Sequence, residues 1–233
     1  DRLWPVAEAT VGPCGDWLDE ASELLARRDE HRANLERLRR RRDAEGDYAD
    51  PAEQALDRTL DELQARLDEV DGLVDSVHER RERSASLRAR SIDAHAGSWS
   101  DCVAAVAASP LYSGLELAPQ EGLVPLGTNA EGLQEFWHVE SGERPEWDPD
   151  RGAVVHEESG LALVLIPGGT GHVGASATGG LHVDRQAWEN ELPVHAVELA
   201  PFLLSKFELT QAQFARAMDG RNPSLVADGH ELR

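Results

Sequence analysis

The segment Gly160 to Ser224 constrains this chain most, because strand, turn, further extended segments and a capped helix follow one another there in a fixed order. Leu161 to Ile166 is a short unbroken apolar run closed by Pro167, Gly168 and Gly169, which predicts a strand buried on both faces and ended by a turn. After a Gly-rich loop, Val194, Val197 and Leu199 sit among polar neighbours, and Pro201 separates them from a second extended segment, Phe202 to Glu208. Thr210 precedes Gln213 by three residues, the spacing at which hydroxyl and amide side chains reciprocally satisfy the first free N–H groups of a helix. Phe214, Ala217 and Met218 supply that helix's apolar face, Gly220 can end it in a left-handed conformation, and Pro223 prevents its resumption.

The same residues carry a resemblance. The order VLIPGGxxxxGA, then ExPxHxVxLxxFxLxKxELTxxQF, then GxNPS resembles the opening of the formylglycine-generating enzyme family, the sulfatase-modifying-factor domain. Glu191, Pro193, His195, Val197, Leu199, Phe202, Lys206, Glu208, Leu209, Thr210, Phe214, Gly220, Asn222 and Pro223 fall on the family pattern. One departure is plain: His172 and Val173 precede Gly174 where the family usually has an aromatic residue and a methionine. The resemblance covers the last third of the chain. It implies an α+β domain with a fold like that of C-type lectins, begun at residues 159–233 and unfinished there.

The rest of the chain is read from its own patterning. Lys and Arg number 23 against 44 Asp and Glu, a formal net charge of −21, so the field repels phosphate and argues against nucleic acid or an anionic membrane as partner. No apolar run approaches the roughly 20 residues needed to cross a bilayer. The chain opens at Asp1 without initiator Met or targeting segment and looks cut from something longer. Two cysteines, Cys14 and Cys102, are too few for a disulfide scaffold and lack C-x-x-C spacing; free, partly buried thiols in a reducing cytoplasm are expected.

Residues 1–15, with Pro5, Gly12, Pro13 and Gly15, read as a linker, and Asp16 as the cap of a helix running to the Arg39 to Arg42 cluster. Leu18, Ala21, Leu24, Leu25, Leu35 and Leu38 form its stripe, interrupted by Arg28 and His31. The arginine cluster suits the negative end of a helix dipole. Asp50, Pro51 and Glu53 restart a helix whose Leu56, Leu60, Leu63, Leu67, Val70, Val74 and Val77 keep heptad spacing. An antiparallel, coiled-coil-like hairpin is expected over 16–109, together with a short third helix over Ser98 to Ser109, with Trp99, Val103 and Val106 facing its partner. Because the first helix is the shorter, residues from about His78 need another partner or project.

Residues 110–158 change period and predict a small β-rich connector of short segments, LELAPQ, GLVPLG, LQEFWHVE and AVVHEE. This order resembles the segment that precedes such domains in large bacterial serine/threonine kinases, although no kinase motif is present.

The family's chemistry is oxidation of a substrate-protein cysteine to formylglycine, with a copper-holding cysteine pair and calcium sites in the later half of the domain. Cys14 and Cys102 lie outside the resembling region, so no catalytic, metal or cofactor-binding residue is assigned; copper and calcium are implied only if residues beyond Arg233 are catalytic. The related sulfoxide-synthase branch binds iron through histidines on a helical bundle, but His31, His78 and His95 lie on separate stretches without H-x-x-x-H spacing. His172, His182 and His195 are expected to make ordinary hydrogen bonds. The GGTGHVG stretch lacks both P-loop spacing and a helix behind it, and reads as a turn between strands. Two functions follow: a domain that, when complete, oxidises a protein or peptide substrate, or a recognition module of that fold beside a kinase, with self-association through the hairpin.

Overall fold

The structure is a computed structural model and describes residues 3–43, 46–176, 179–180, 182–218 and 220. Asn222 and Pro223 of the motif lie outside the described residues. The chain is mixed α and β and divides into two units, Asp1–Arg88 and Ala89–Arg233. Among the described residues no helix is long and apolar enough to cross a membrane.

The first unit holds α1 (Val11–Leu25), α2 (Arg28–Arg39) and most of α3 (Pro51–Ser91). The start of α3 is as expected: Pro51 takes the first helical position, and Asp50 Oδ1 accepts the Ala52 N–H at 2.9 Å. Along the seam Leu67 and Val77 are buried, Leu60, Leu63, Val70 and Val74 half-buried, and Leu56 exposed. Asp57, off the seam, is also buried and gathers Arg39 Nε (3.0 Å), Arg42 Nη2 (2.7 Å) and the Tyr48 hydroxyl (2.9 Å). The arginine cluster therefore serves as counterions to α3, with Arg41 on Glu53 as well, and not only as a dipole cap.

Three expectations for this unit are corrected. The linker 1–15 ends early, because α1 begins at Val11 and takes in Gly12, Pro13, Gly15 and Asp16. Pro13 sits in the first turn, where a missing N–H costs nothing. Thr10, at the capping position, instead donates to Ala7 O (2.8 Å) and bonds Ser84 Oγ (3.0 Å), a contact to α3. The first helix is not continuous but breaks at Ala26 and Arg27; Arg28, at the start of α2, bridges Asp68 (2.5 Å) and Asp71 (2.6 Å). Of the two outcomes expected beyond His78, another partner is the one found: the residues ahead of α1, with Thr10 on Ser84 and Trp4 under Arg80. Cys14 and Leu18 pack on Val77, and the Arg80 guanidinium lies 4.2 Å above the Trp4 ring.

In the second unit α4 (Ala96–Ala108) starts two residues before Ser98, with His95 at its cap. Its buried Trp99, Cys102 and Val106 join Ile92, Tyr112, Leu123, Phe136 and Leu165 in one core. Trp99 lies 5.7 Å from the Phe136 ring and donates its indole N–H to Ser91 O at 2.9 Å.

The strands are β1 (Leu123–Thr128), β2 (Gln134–His138), β3 (Glu146–Asp148), β4 (Gly152–Val154), β5 (Ala162–Ile166), β6 (Gly169–Val173), β7 (His195–Leu199) and β8 (Phe202–Ser205), followed by α5 (Gln211–Ala217). Four form one antiparallel sheet in the order β1-β2-β5-β8, while β3 pairs with β4 and β6 with β7. The stretch read as a connector is thus not set apart: β1 and β2 belong to the sheet that β5 and β8 continue. Tyr112 fastens the two regions, its hydroxyl donating to Leu165 O (3.0 Å) and accepting the Gln134 N–H (3.0 Å).

Two local readings also change. LELAPQ joins no strand. GTGHV is itself strand β6, not a turn; its residues are mostly exposed, so the ladder to β7 holds it where side-chain patterning could not announce it. Gly168 permits the approach, since a Cβ there would lie 2.5 Å from Leu199 O.

Burial raises the Asp57 carboxyl, but Tyr48, Arg39 and Arg42 outweigh it and hold it below the ordinary carboxylate range. A lowered native pKa contributes stability above the unfolded value of about 4 that is lost as pH falls through the native one. Helical circular dichroism is therefore expected to fall below about pH 4, and an Asp57→Asn variant to show less of that acid loss.

Candidate functional site

One residue of the motif, Lys206, enters a buried ion pair. Glu135 on β2 is 0% exposed, and Lys206, one residue beyond β8, brings its ammonium to 2.8 and 3.1 Å from the two carboxylate oxygens. The sheet makes this meeting possible, because β5 lies between β2 and β8 and pairs with both. Asn129 Nδ2 (2.9 Å) and the Ala153 N–H (2.7 Å) also donate to Glu135, and Lys206 donates further to Arg151 O (2.8 Å). All three ammonium protons have acceptors, and the carboxylate accepts from three groups. A pair so saturated has no proton or lone pair to offer a substrate, so its work is to hold β2, β4 and the end of β8 together.

One glycine gives the pair its room, and a second makes room for Trp147. A Cβ on Gly152, whose φ is +73°, would stand 2.6 Å from one Glu135 oxygen and 2.7 Å from Lys206 Nζ. Gly127 lies where the β1–β2 register shifts, and a Cβ there would fall 2.6 Å from the Trp147 ring.

Beyond Lys206 the capping box is present. Thr210 Oγ1 accepts the Gln213 N–H (3.1 Å), and Gln213 Oε1 accepts the Thr210 N–H (3.1 Å). The other end of the Gln213 amide donates to Ser159 O at 3.0 Å. Arg216, one turn on, donates from Nε to Ser141 O (3.0 Å) and from Nη2 to Ser159 O (3.3 Å). The short helix α5 is thereby tied to the loops around Ser141 and Ser159. Gly220 has the expected left-handed φ of +79°.

The remaining expected residues do not converge. His172 and His195 lie on β6 and β7, both exposed, with His195 Nδ1 3.1 Å from Pro193 O; His182 is an exposed turn residue. His31 lies in α2, His78 in α3 and His95 at the cap of α4. Among the described residues no three His, Cys, Asp or Glu come together as a metal site. The copper that the resemblance implies would take a cysteine pair, but Cys14 and Cys102 belong one to each unit and both are buried. Burial alone pushes the Cys102 thiol up to about 11, whereas metal binding requires thiolate. These two residues do not fit copper, and no step can be routed through it here.

Glu135, Gly152, Gln213 in its contact to Ser159, and Arg216 were not found as site residues from sequence. No local signal marks Glu135, which is one of three acids from Glu131 to Glu140.

Lys206→Met is expected to destabilise the second unit by about 3 kcal/mol, because it leaves a buried carboxylate unpaired. Adding Glu135→Gln, which keeps an acceptor for the Ala153 N–H without a charge, is expected to recover at least half of that loss in urea unfolding. Cys102 is expected to resist a thiol reagent at pH 8 until the chain is unfolded.

Comparison with known proteins adds one match. No curated protein and no solved structure matches the chain, while residues 152–230 match the family described as sulfatase-modifying factor enzyme 1-like domain. The match starts at the glycine that makes room for Lys206 and takes in β4 to α5, so a domain region similar to that family is present in the second half of this chain.

Proposed function

We propose that this chain is a segment of a larger bacterial protein bearing a formylglycine-generating-enzyme-type domain of C-type-lectin-like fold, of which residues 159–233 are the first part. The complete domain oxidises a cysteine of a protein or peptide substrate to formylglycine. Its copper-holding cysteine pair lies in polypeptide beyond Arg233, and residues 123–220 serve as the scaffold on which that half is built.

The observation that carries this reading is the apolar surface left on the matched region. Leu204 on β8 is 54% exposed, and Phe207 and Leu209 follow it at 42% and 51%. Large apolar side chains left exposed this closely along the chain call for covering polypeptide. The ordered motif from Glu191 to Phe214 and the family match over 152–230 agree with it.

A second reading is a non-catalytic recognition module of the same fold attached to a serine/threonine kinase, with α1 to α3 as a coiled-coil hairpin that mediates association. It is favoured by the saturation of Glu135 and Lys206 and by the burial of both cysteines.

One comparison separates the two. The chain as it stands is expected to bind no stoichiometric copper and to leave a cysteine-containing sulfatase peptide unchanged. A longer chain that includes the polypeptide after Arg233 is expected to convert the peptide's cysteine to an aldehyde when supplied with copper and oxygen. A longer chain that folds but gives no aldehyde would support the recognition module instead.

A further inference from the structure

Between the helical turn at Pro110–Tyr112 and β1, the chain crosses the surface of the second unit over Leu115–Gln120 without joining a sheet. The ends of this segment are fixed, Leu115 N–H to Tyr112 O at 2.9 Å and Leu123 N–H to Gln120 O at 3.2 Å. Between them, the main-chain N–H and C=O groups of Glu116, Leu117 and Ala118 have no hydrogen-bond partner among the described residues. Leu115 and Leu117 pack on the core, while Glu116 and Ala118 are exposed, so the unpaired main chain lies at the surface.

A cavity of about 380 Å³ opens beside this segment, floored by Trp99, Phe136 and Leu165 and walled by Leu117 and Phe202. Its volume lies in the range of ordinary ligand pockets. The Trp99 indole N–H is already given to Ser91 O, which leaves the floor apolar. A second cavity, of about 430 Å³, adjoins it across Leu115 and Pro201. Glu116 stands at the mouth of the first and makes no ion pair among the described residues.

We infer that this site takes an extended peptide from another polypeptide. The peptide's main chain pairs with Glu116 and Ala118, a bulky apolar side chain fills the cavity, and a flanking Lys or Arg meets the Glu116 carboxylate. Unpaired extended main chain beside an apolar pocket is the arrangement by which strand addition joins affinity to side-chain choice. A small apolar ligand would fill the cavity but leave the main-chain groups unpaired. A second copy of this chain would bring its own charge of −21 against the same sign. The inference stands on the second unit alone and does not rest on the proposed oxidation.

Three blocked heptapeptides test it on the full chain: a central phenylalanine between two lysines, the same between two glutamates, and a central alanine between two lysines. The lysine–phenylalanine peptide is expected to bind at least about 10-fold more tightly than either other, a difference of roughly 1.4 kcal/mol. It is also expected to slow amide exchange at Glu116 and Ala118. Glu116→Lys changes an exposed side chain and is expected to reverse the preference between lysine and glutamate flanks. Equal binding by the three peptides, binding by none, or unchanged exchange at these amides would overturn the inference. So would the same slowing produced by concentrating the chain alone, or by toluene.

Discussion

A carboxylate removed from water must find a cation and further donors, or the fold around it fails. Glu135 meets that demand with Lys206, Asn129 and the Ala153 N–H, and each partner comes from a different piece of the second unit. The pair couples β2 to the end of β8 across β5, and through Arg151 O and Gly152 it fixes the approach of β4. Replacing Gly152 by any residue with a side chain would drive a carbon into the carboxylate. The arrangement thus depends on one acid, one base and one glycine, with only the latter two inside the family-matching region.

The sheet has a consequence for where a functional domain begins. A boundary at residue 152 would leave β5 without β2 and Lys206 without its counterion. Tyr112 and the Trp99–Phe136 contact extend the dependence further upstream, to α4. At the other end, Gln213 and Arg216 spend their donors on the carbonyls of Ser141 and Ser159, so the last described helix is also seated on loops outside the β5–β8 pair. Such a scaffold orders a surface; it offers no group free for acid–base work at the ion pair.

Much of this was legible in the residues. The apolar run Leu161 to Ile166, the Thr210–Gln213 box, and the Asp50–Pro51 helix start are local signals, in which a side chain's partner lies within a few positions. The strand at Gly169–Val173 was not legible, because its stability comes from backbone pairing with β7 and its exposed side chains carry no alternation. Helix α1 was misread at its start because Gly12, Pro13 and Gly15 are punctuation in most contexts, and here a tertiary bond from Thr10 to Ser84 accompanies a helix that runs through them. The Glu135–Lys206 pair could not be seen at all: its members are 71 residues apart, and one acid among many in a chain with 44 acidic residues carries no mark of burial.

The matched region shares one sheet and one buried charge pair with the segment before it, and cannot stand without that segment. Amide hydrogen exchange at Val164 and Leu165 in two chains, one starting at Ala89 and one at Gly152, tests it most directly. Strong protection in the longer chain and its loss in the shorter is the predicted result. Equal protection in both would show that the region folds by itself and would contradict the account.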